Sequence, residues 1–361
     1  MHDEYYMDLA LNLAAVAENQ TSPNPVVGAI IVKEDEVVGI GAHLKAGSLH
    51  AEAHALKMAG ENAIGSTMYV TLEPCNHFGK TPPCTMGILN AGVKKVVIAT
   101  LDPNPKVAGT GVAKLKAAGI EVEVGIGEAE ALKLNKAYMY FMKQKLPFVT
   151  LKQAITLDGK IATIHGRNEN ITGKEVQQDV HLKRAQSDAI LVGVETVLND
   201  NPLLTNRFAK SNKQPIRIIL DTHLRTPMNA KVVIDQTAPT WIVVGNEVTS
   251  IQITRFAQAN VRIIQLETKS IVIQDVLTEL ARRNIVTLYV EGGKRISSSF
   301  VNSGLVNEMI TYIAPKLVGG HDGIGMFEHL NVTSMDNAVP LKIQQVEQIG
   351  EVIKVISRLG D

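Results

Sequence analysis

Short runs of β-branched and aliphatic residues alternate with helical patterns along the whole chain, and this alternation restricts the fold more than any other feature. In the first part of the chain, the runs predict strands at 28–32, 37–42, 68–72, 95–100 and 121–125. Helical patterns fall between them. The first, from Tyr6 to Ala17, repeats apolar residues at helical spacing, and the last covers 128–141. Alternating strands and helices are typical of a layered α/β fold.

A domain boundary is predicted just before Pro147, where a long helix should end because the residue preceding a proline disfavours the helical conformation. A new strand follows at 148–155. The second part continues with strands at 189–194, 216–221, 241–245, 261–266, 287–291 and 309–314, and with a β-rich tail at 341–358. We therefore expect two α/β domains, residues 1–145 and 146–361.

The overall composition indicates a globular protein without a basic bias. Apolar residues make up 45% of the 361 residues, enough to build buried cores, which excludes intrinsic disorder and fibrous classes. The 36 Lys and Arg residues balance the 36 Asp and Glu residues. A dedicated nucleic-acid binder usually carries an excess of basic residues, so that class is disfavoured.

Cysteine content and apolar runs bear on the cellular compartment. The chain has two cysteines, which excludes a disulfide-dense secreted fold. Charges interrupt every apolar run before it reaches about 18 residues, so no transmembrane helix is expected. The acidic start, Met1-His2-Asp3-Glu4, does not resemble a secretory signal. A cytoplasmic protein is favoured.

The strongest local motif combines His50-Ala51-Glu52 with Glu73-Pro74-Cys75 and Pro82-Pro83-Cys84. Zinc prefers imidazole nitrogen and thiolate sulfur, and a catalytic site keeps three protein ligands and a water. We therefore predict that His50, Cys75 and Cys84 are zinc ligands. Glu52, at the start of a predicted helix, would move the proton of the zinc-activated water.

Simpler interpretations of these residues remain open. The three ligands could form a structural zinc site, but such sites usually have four protein ligands, and only His77 is a candidate for the fourth. The cysteines could instead be buried thiols with no metal. The ordered pattern as a whole favours catalysis. His54, one turn beyond His50, is interpreted as a helix-face residue.

The His-x-Glu and Pro-Cys pattern resembles that of the cytidine-deaminase-like superfamily. The long loop between Cys75 and Cys84, the segment 23–29 and the stretch 41–43 are similar to its riboflavin-biosynthesis branch. The resemblance implies a three-layer α/β/α domain. It also implies that the deaminase substrate is bound by Asn24, His43, His77, Lys80, Asp102 and Asn104.

Physical arguments for these substrate contacts are weaker than the resemblance. Lys80 would be a suitable partner for a substrate phosphate, but it could also be a solvated loop lysine. Asp102 and Asn104 lie in an Asp-Pro-Asn-Pro stretch, which is also a strong turn sequence.

In the second part, a predicted strand runs into Gly292-Gly293, and a helical pattern follows at 294–304. A helix that begins after a Gly turn can present free N–H groups to an anion. The G-x-G-x-x-G motif is missing from the sequence, which argues against a standard Rossmann domain. The segments 156–162, 184–193 and 196–202 resemble the riboflavin-pathway reductases, a family with a dihydrofolate-reductase-like α/β fold that uses NADPH.

This second resemblance implies two further sets of contacts. NADPH would be bound by Ala154, Asn170, Thr196, Asp200, Gly293, Lys294, Arg295, Ile296, Ser297, Ser298 and Ser299. The reductase substrate would be bound by Asn168, Arg184, Leu204, Arg207 and Glu291, and the amine of Lys152 could approach a substrate hydroxyl or carbonyl. Asn170 departs from the family, in which some members have an aromatic residue. Arg184 and Arg207 suit a phosphate clamp, although each could also form a surface ion pair.

Together the two resemblances cover nearly the whole chain and imply a bifunctional riboflavin-biosynthesis deaminase–reductase. One zinc ion per chain would support deamination of 2,5-diamino-6-(5-phosphoribosylamino)pyrimidin-4-one. NADPH would then reduce the ribosyl side chain to give 5-amino-6-(5-phosphoribitylamino)uracil. The expected partner is a small phosphorylated pyrimidine, with no nucleic acid and no membrane, and the chain is expected to form a homo-oligomer.

Three alternatives stay open. The first is a nucleic-acid or nucleoside deaminase with an appended non-catalytic domain. The second is a zinc-stabilised binding module without turnover. In the third, the first domain is active and the reductase domain is only a scaffold.

Overall fold

The computed structural model describes residues 2–78, 82–105, 107–163, 171–208, 213–256, 261–320 and 323–360. The chain forms two compact units, Met1–Lys145 and Leu146–Asp361. None of the described helices has both the length and the apolar character needed to cross a bilayer.

The first unit alternates helices and strands, as the sequence pattern predicts. Its strands are β1 (Gly28–Lys33), β2 (Glu36–Ala42), β3 (Thr67–Val70), β4 (Lys95–Ile98) and β5 (Glu121–Val124). Its helices are α1 (His2–Val16), α2 (Ala51–Ala59), α3 (Cys84–Asn90), α4 (Thr110–Ala117), α5 (Glu128–Leu134) and α6 (Lys136–Gln144), and a 3₁₀ turn covers Gly60–Ala63.

Within the described residues of this unit, five strands form one sheet in the order β2-β1-β3-β4-β5. Strand β1 runs antiparallel to β2 and β3, whereas β3, β4 and β5 are parallel. Neighbouring residues of β1 face opposite ways: Ile30 packs in a core with α1 and α5, and Ile31 in a core with α2, α3 and α4. Helices cover both faces, which confirms the three-layer α/β/α arrangement.

The second unit begins with a long central strand and ends in a β-hairpin. Its strands are β6 (Phe148–Thr156), β7 (Lys160–Ala162), β8 (Ala189–Gly193), β9 (Ile216–Leu220), β10 (Thr240–Val244), β11 (Val261–Gln265), β12 (Thr287–Val290), β13 (Glu308–Ala314), β14 (Ile324–Gly325), β15 (Leu341–Ile349) and β16 (Val352–Leu359). Its helices are α7 (Lys174–Gln186), α8 (Val194–Asp200), α9 (Lys231–Ile234), α10 (Ser250–Thr254), α11 (Ile273–Arg282) and α12 (Lys294–Asn302), with a 3₁₀ turn at Met335–Asn337.

Nine strands of the described part of this unit form a sheet in the order β11-β10-β9-β8-β12-β6-β13-β16-β15. Neighbouring strands from β11 to β13 are parallel, and the hairpin β15–β16 adds antiparallel strands beyond β13. The carboxyl ends of β8 and β12 are neighbours at one edge of the sheet, where α8 and α12 begin. Parallel α/β sheets usually bind ligands at this edge.

One predicted helix is divided in the structure. The helical pattern over 128–141 becomes α5 and α6, which are separated at Asn135. The side chain of Asn135 accepts a hydrogen bond from Val26 N–H and donates one to Val26 O, both at 2.9 Å. These bonds to a distant segment hold Asn135 at φ −103° and ψ 20°, outside regular helix geometry.

Candidate active sites

Three potential metal ligands meet at the start of two helices of the first unit. His50 is the N-cap of α2, Cys84 is the first residue of α3, and Cys75 lies in the loop after β3. One ligand atom from each of the three lies within 4.8 Å of the others. The first turn of α2 also carries Glu52, two residues after His50, so the sequence places the acid next to one of the three candidate ligands.

The spacing of these ligand atoms fits zinc. His50 Nδ1 is 3.2 Å from Cys84 Sγ and 3.6 Å from Cys75 Sγ. Tetrahedral zinc with ordinary bond lengths holds nitrogen and sulfur ligands about 3.6 Å apart. Hydrogen bonding between the two thiols lowers the pKa of Cys75 to about 4 and, together with burial, raises that of Cys84. One sulfur is therefore readily available as a thiolate, the form that binds zinc.

Glu52 lies against this cluster with its side chain shielded from solvent. Only 3% of the residue is exposed. Burial raises the pKa of its carboxyl group, and a hydrogen bond with Cys84 acts in the opposite direction. The carboxyl group is therefore close to the candidate metal position and separated from bulk water.

Asn24 and His43, both predicted substrate contacts, contact each other beside the cluster. His43 Nδ1 donates to Leu49 O at 3.1 Å, which leaves Nε2 to accept from Asn24 Nδ2, also at 3.1 Å. The His43 and His50 rings are edge to face with centroids 5.3 Å apart. Both ring nitrogens of His43 have partners within the chain, so this histidine holds Asn24 in place.

Asp102 and Asn104 follow β4 and are tied together. Asp102 Oδ1 accepts the Asn104 N–H at 2.9 Å, and the hydroxyl of Tyr138 donates to Asp102 at 3.0 Å. Burial raises the pKa of Asp102, and these hydrogen bonds oppose the increase. His77 interacts electrostatically with Asp102. Sequence patterns did not identify Tyr138, because its partner lies on another element.

In the second unit, Arg184 and Glu291 form a bidentate ion pair. Arg184 Nε and Nη2 donate to the two Glu291 oxygens at 2.6 and 2.8 Å, and Nη1 donates to Thr205 O at 3.2 Å. Burial opposes both charges, but the pairing outweighs it, raising the pKa of Arg184 and lowering that of Glu291. A substrate phosphate would compete with Glu291 for this guanidinium.

Lys152 and Leu204 lie near this pair. Lys152, on β6, interacts electrostatically with Glu291 and Arg184, and burial lowers its pKa. Leu204 is 3% exposed and has a positive φ of 54°. It directly precedes Thr205, whose carbonyl binds Arg184. The ion pair thus fixes the loop on which Leu204 lies.

His181 is a further polar residue here that the sequence analysis did not identify. It lies one turn before Arg184 on α7, and its Nδ1 accepts the Arg207 N–H at 3.1 Å. Its ring also packs edge to face against Phe208, with centroids 4.8 Å apart. Burial, with Arg184 and Arg207 nearby, lowers the pKa of His181 to about 4. The sequence gives one indication of this role: His181 lies three residues before Arg184, which places the two side chains on the same face of a helix.

The predicted NADPH residues lie on neighbouring elements. Ala154 shares a face of β6 with Lys152, while Thr196 and Asp200 lie on α8 and the run from Gly293 to Ser299 opens α12. A Cβ atom at Gly193 would lie 2.8 Å from Ile296, so α12 approaches the start of α8 closely. The N–H groups at the starts of α8 and α12, beside the carboxyl ends of β8 and β12, can bind a dinucleotide phosphate.

Several side chains of this run already have partners. The Ser297 hydroxyl contacts Gln153 and the carbonyl of Gly293, and that of Ser298 accepts the Glu328 N–H at 2.8 Å. Lys294 and Arg295 face the carboxylate of Glu328 at 3.7 and 3.6 Å. The N–H of Ser297 also donates to Gly293 O at 3.1 Å, so the backbone N–H groups available to a cofactor phosphate belong to the first turn of α12, before Ser297. Lys80, Asn168 and Asn170 lie outside the described residues.

Comparison with known families covers both units. Residues 1–100 match the cytidine and deoxycytidylate deaminase zinc-binding region, and residues 147–355 match the RibD C-terminal domain. The chain is 45% identical over 349 residues to the riboflavin biosynthesis protein RibD of Aquifex aeolicus, covering 97% of this chain and 96% of the relative. This chain belongs to the RibD family. The Bacillus amyloliquefaciens RibD is 46% identical over 98% of this chain and 95% of its own.

Solved RibD structures agree with this assignment. Acinetobacter baumannii RibD superposes with a TM-score of 0.90 at 39% identity over 99% of both chains. A Thermotoga maritima diaminohydroxyphosphoribosylaminopyrimidine deaminase/5-amino-6-(5-phosphoribosylamino)uracil reductase has a TM-score of 0.86 at 34% identity, also over 99% of both. The predicted fold classes, and the prediction of a bifunctional RibD-type deaminase and reductase of riboflavin biosynthesis with a zinc-binding deaminase domain, are confirmed. The comparisons favour this enzyme over the three alternatives.

Proposed function

We propose that residues 1–145 perform the deamination and residues 146–361 the reduction, each at the cluster described above. The observation that carries the proposal is the buried Glu52 carboxyl group beside three ligand atoms that lie within 4.8 Å of one another. Three ligands and an adjacent acid suit a catalytic zinc site, which needs an open position and a proton carrier.

The deaminase substrate is 2,5-diamino-6-(5-phosphoribosylamino)pyrimidin-4-one, the same class of compound that the Thermotoga maritima relative is named for. Zinc bound by His50, Cys75 and Cys84 would acidify a water molecule and so supply a nucleophile at neutral pH. Glu52 would carry one proton of that water to the ring nitrogen and then the second proton to the departing amine. The exocyclic C–N bond breaks, a carbonyl forms on the ring carbon and ammonia leaves.

The surrounding residues orient this substrate. Asn24, held by His43, presents its amide oxygen to the pyrimidine. Asp102 and Asn104, on the segment that follows β4, contact the pyrimidine ring or the ribose. His77 and Lys80, on the loop between the cysteines, bind the phosphate, for which Lys80 is the cationic partner.

In the reductase unit, bound NADPH would supply the hydride for C1′ of the opened ribosyl imine, and a proton from water would complete the change from C=N to CH–NH. The starts of α8 and α12 hold the cofactor, with Ala154, Asn170, Thr196, Asp200 and the 293–299 run as contacts. Glu291 and Lys152 face the sugar, Asn168 and Leu204 line the substrate, and Arg207 binds its phosphate. Arg184 keeps Glu291 ionised and oriented.

We also propose a cytoplasmic homo-oligomer. Free thiols that bind zinc and a reduced nicotinamide cofactor both suit a reducing compartment. Assembly is supported by β15, the edge strand of the large sheet, on which Ile343 and Val346 are 64% and 59% exposed. An edge strand with exposed apolar side chains can serve as a template for pairing with another chain.

The test is a two-stage turnover assay on the zinc-loaded, full-length protein with the diaminopyrimidinone ribosyl phosphate. Ammonia should appear first, and NADPH absorbance should fall only after deamination. Failure to release ammonia with zinc bound would refute the substrate assignment.

Two changes separate the half-reactions. Glu52→Gln should lower ammonia release roughly 100-fold or more, the range ascribed to general acid–base catalysis, without loss of zinc. Removing zinc with a chelator should abolish deamination while the reductase still oxidises NADPH on pre-deaminated substrate. Loss of both activities in Glu52→Gln would contradict separate sites.

A further inference from the structure

Glu73 is a buried carboxylate outside the candidate zinc ligands, and it accepts four backbone hydrogen bonds. Oε1 accepts the N–H groups of Gly111 and Val112 at 2.9 and 3.2 Å. Oε2 accepts those of Gly109 and Asp102 at 2.9 and 3.3 Å. The residue is 3% exposed. Four N–H donors satisfy both oxygens, an arrangement in which only an acceptor fits.

All four donors belong to one segment, residues 102–112, of which residue 106 lies outside the description. The segment begins with Asp102 and Asn104 and ends in the first turn of α4. Gly109, the N-cap of α4, is in the left-handed conformation with φ 80° and has no side chain to cap the helix. Glu73 therefore caps α4 from a distance, with a negative charge at the end of the helix that favours it.

The close packing at Gly111 explains how Glu73 reaches this helix. A Cβ atom at Gly111 would lie 2.2 Å from Pro74 O, so α4 begins in direct contact with the segment 73–75. Cys75, a candidate zinc ligand, is the next residue after Pro74. The backbone that carries this ligand and the segment that carries Asp102 are thus joined through Glu73.

We propose that Glu73 is a positioning residue of the deaminase site, which sets the distance between Cys75 and the substrate-binding residues Asp102 and Asn104. Tyr138 holds Asp102 from the opposite side, so the segment is fixed at two points. This inference rests on the proposed function, because it assumes that Asp102 and Asn104 bind the deaminase substrate. A neutral amide at position 73 would direct its own N–H groups at backbone donors and release the segment.

The experiment compares Glu73→Gln with the wild type in the full-length, zinc-loaded protein. We expect the KM for the diaminopyrimidinone ribosyl phosphate to rise roughly tenfold or more, since a lost buried acceptor commonly has an effect of that size. The deaminase kcat should change less than the KM. Zinc content and reductase kcat/KM should match the wild type, and the reductase serves as a folding control within the same chain.

Gly111→Ala tests the same contact between α4 and the segment 73–75 while the Glu73 carboxylate is retained. This variant replaces Glu73→Gln if that protein is obtained in too small an amount for kinetics. It should raise the deaminase KM in the same way. Gly87→Ala is the matched control, because a Cβ there would meet only a Leu56 methyl group at 3.5 Å. It should leave the KM unchanged.

An unchanged KM in both Glu73→Gln and Gly111→Ala overturns the inference. Loss of zinc with an unchanged KM also overturns it, because Glu73 would then support only Cys75. A wild-type protein that releases no ammonia overturns the proposed function, and with it this inference. Ammonia release with a normal KM in the variants overturns the inference alone.

Discussion

Several single side chains in both units hold a neighbour by using most of their own hydrogen-bonding groups. Both ring nitrogens of His43 are engaged, by Leu49 and Asn24. Arg184 places two of its nitrogens on Glu291 and a third on a carbonyl. Truncating such a residue leaves its partner unsatisfied, which costs about 1–3 kcal/mol. Position and charge at these sites therefore depend on residues that do not themselves react.

At this scale, His181 predicts a pH dependence of stability. Its pKa of about 4 lies below the ordinary value of 6.5, with Arg184, Arg207 and Glu291 as the charged neighbours. Between these values the unfolded chain binds more protons, so the stabilisation is fully present above about pH 6.5 and is lost as the pH falls towards 4. We expect lowering the pH from 7 to 5 to reduce wild-type stability by about 1 kcal/mol more than that of His181→Asn.

Trp241 makes this measurement specific to the second unit. It is the one tryptophan of the sequence and lies on β10, where it is 9% exposed. Urea unfolding followed by its fluorescence therefore reports on this unit. The asparagine keeps an acceptor for the Arg207 N–H but cannot titrate. Parallel loss of stability in both proteins would show that other groups cause the pH effect.

At the scale of elements, close approach between helices shapes the candidate cofactor site. Ile296 of α12 packs against Gly193, where β8 turns into α8. Overpacking a close contact costs about 1–3 kcal/mol. We expect Gly193→Ala to displace the start of α12 and to raise the NADPH KM, roughly tenfold for each 1.4 kcal/mol of lost binding.

The double variant Gly193→Ala/Ile296→Ala provides the control for this contact. It removes the atoms that would lie 2.8 and 3.0 Å from the new Cβ, so part of the NADPH affinity should return. Deaminase activity of the same chains should stay at the wild-type level. A normal NADPH KM in Gly193→Ala would mean that this packing does not position the cofactor.

At the scale of the whole molecule, the exposed edge of the large sheet bears on assembly. Sedimentation velocity should show an oligomer for the wild type. Ile343→Lys/Val346→Lys should dissociate it into monomers, because two charges on the edge strand oppose pairing with a second chain.

Ile251→Lys is the matched control for this surface. Ile251 is 79% exposed on α10, so the substitution introduces the same lysine at an exposed position away from β15. It should sediment like the wild type. A monomeric wild type, or an oligomer that survives both lysines, would exclude β15 as the interface.

The sequence by itself determined the strand–helix alternation, the order of the two α/β parts and the donor set of the candidate zinc site. These features are local: strand and helix periods repeat within a few residues, and His50, Glu52 and Cys84 lie at the starts of helices. The resemblances to known families then supplied the activities and most of the substrate and cofactor contacts, which no local pattern specifies.

Only the tertiary structure decided which polar groups hold these sites together. Asn135 interrupts the predicted helix over 128–141 because its amide bonds Val26, 109 positions away in sequence. Glu73 binds backbone N–H groups 29 to 39 residues later, and His181 binds Arg207, 26 residues away. Such partners leave no periodic signal, since a buried polar residue is satisfied by whichever groups the fold brings to it. Sequence chemistry thus identifies the candidate reacting groups, and packing decides how they are held.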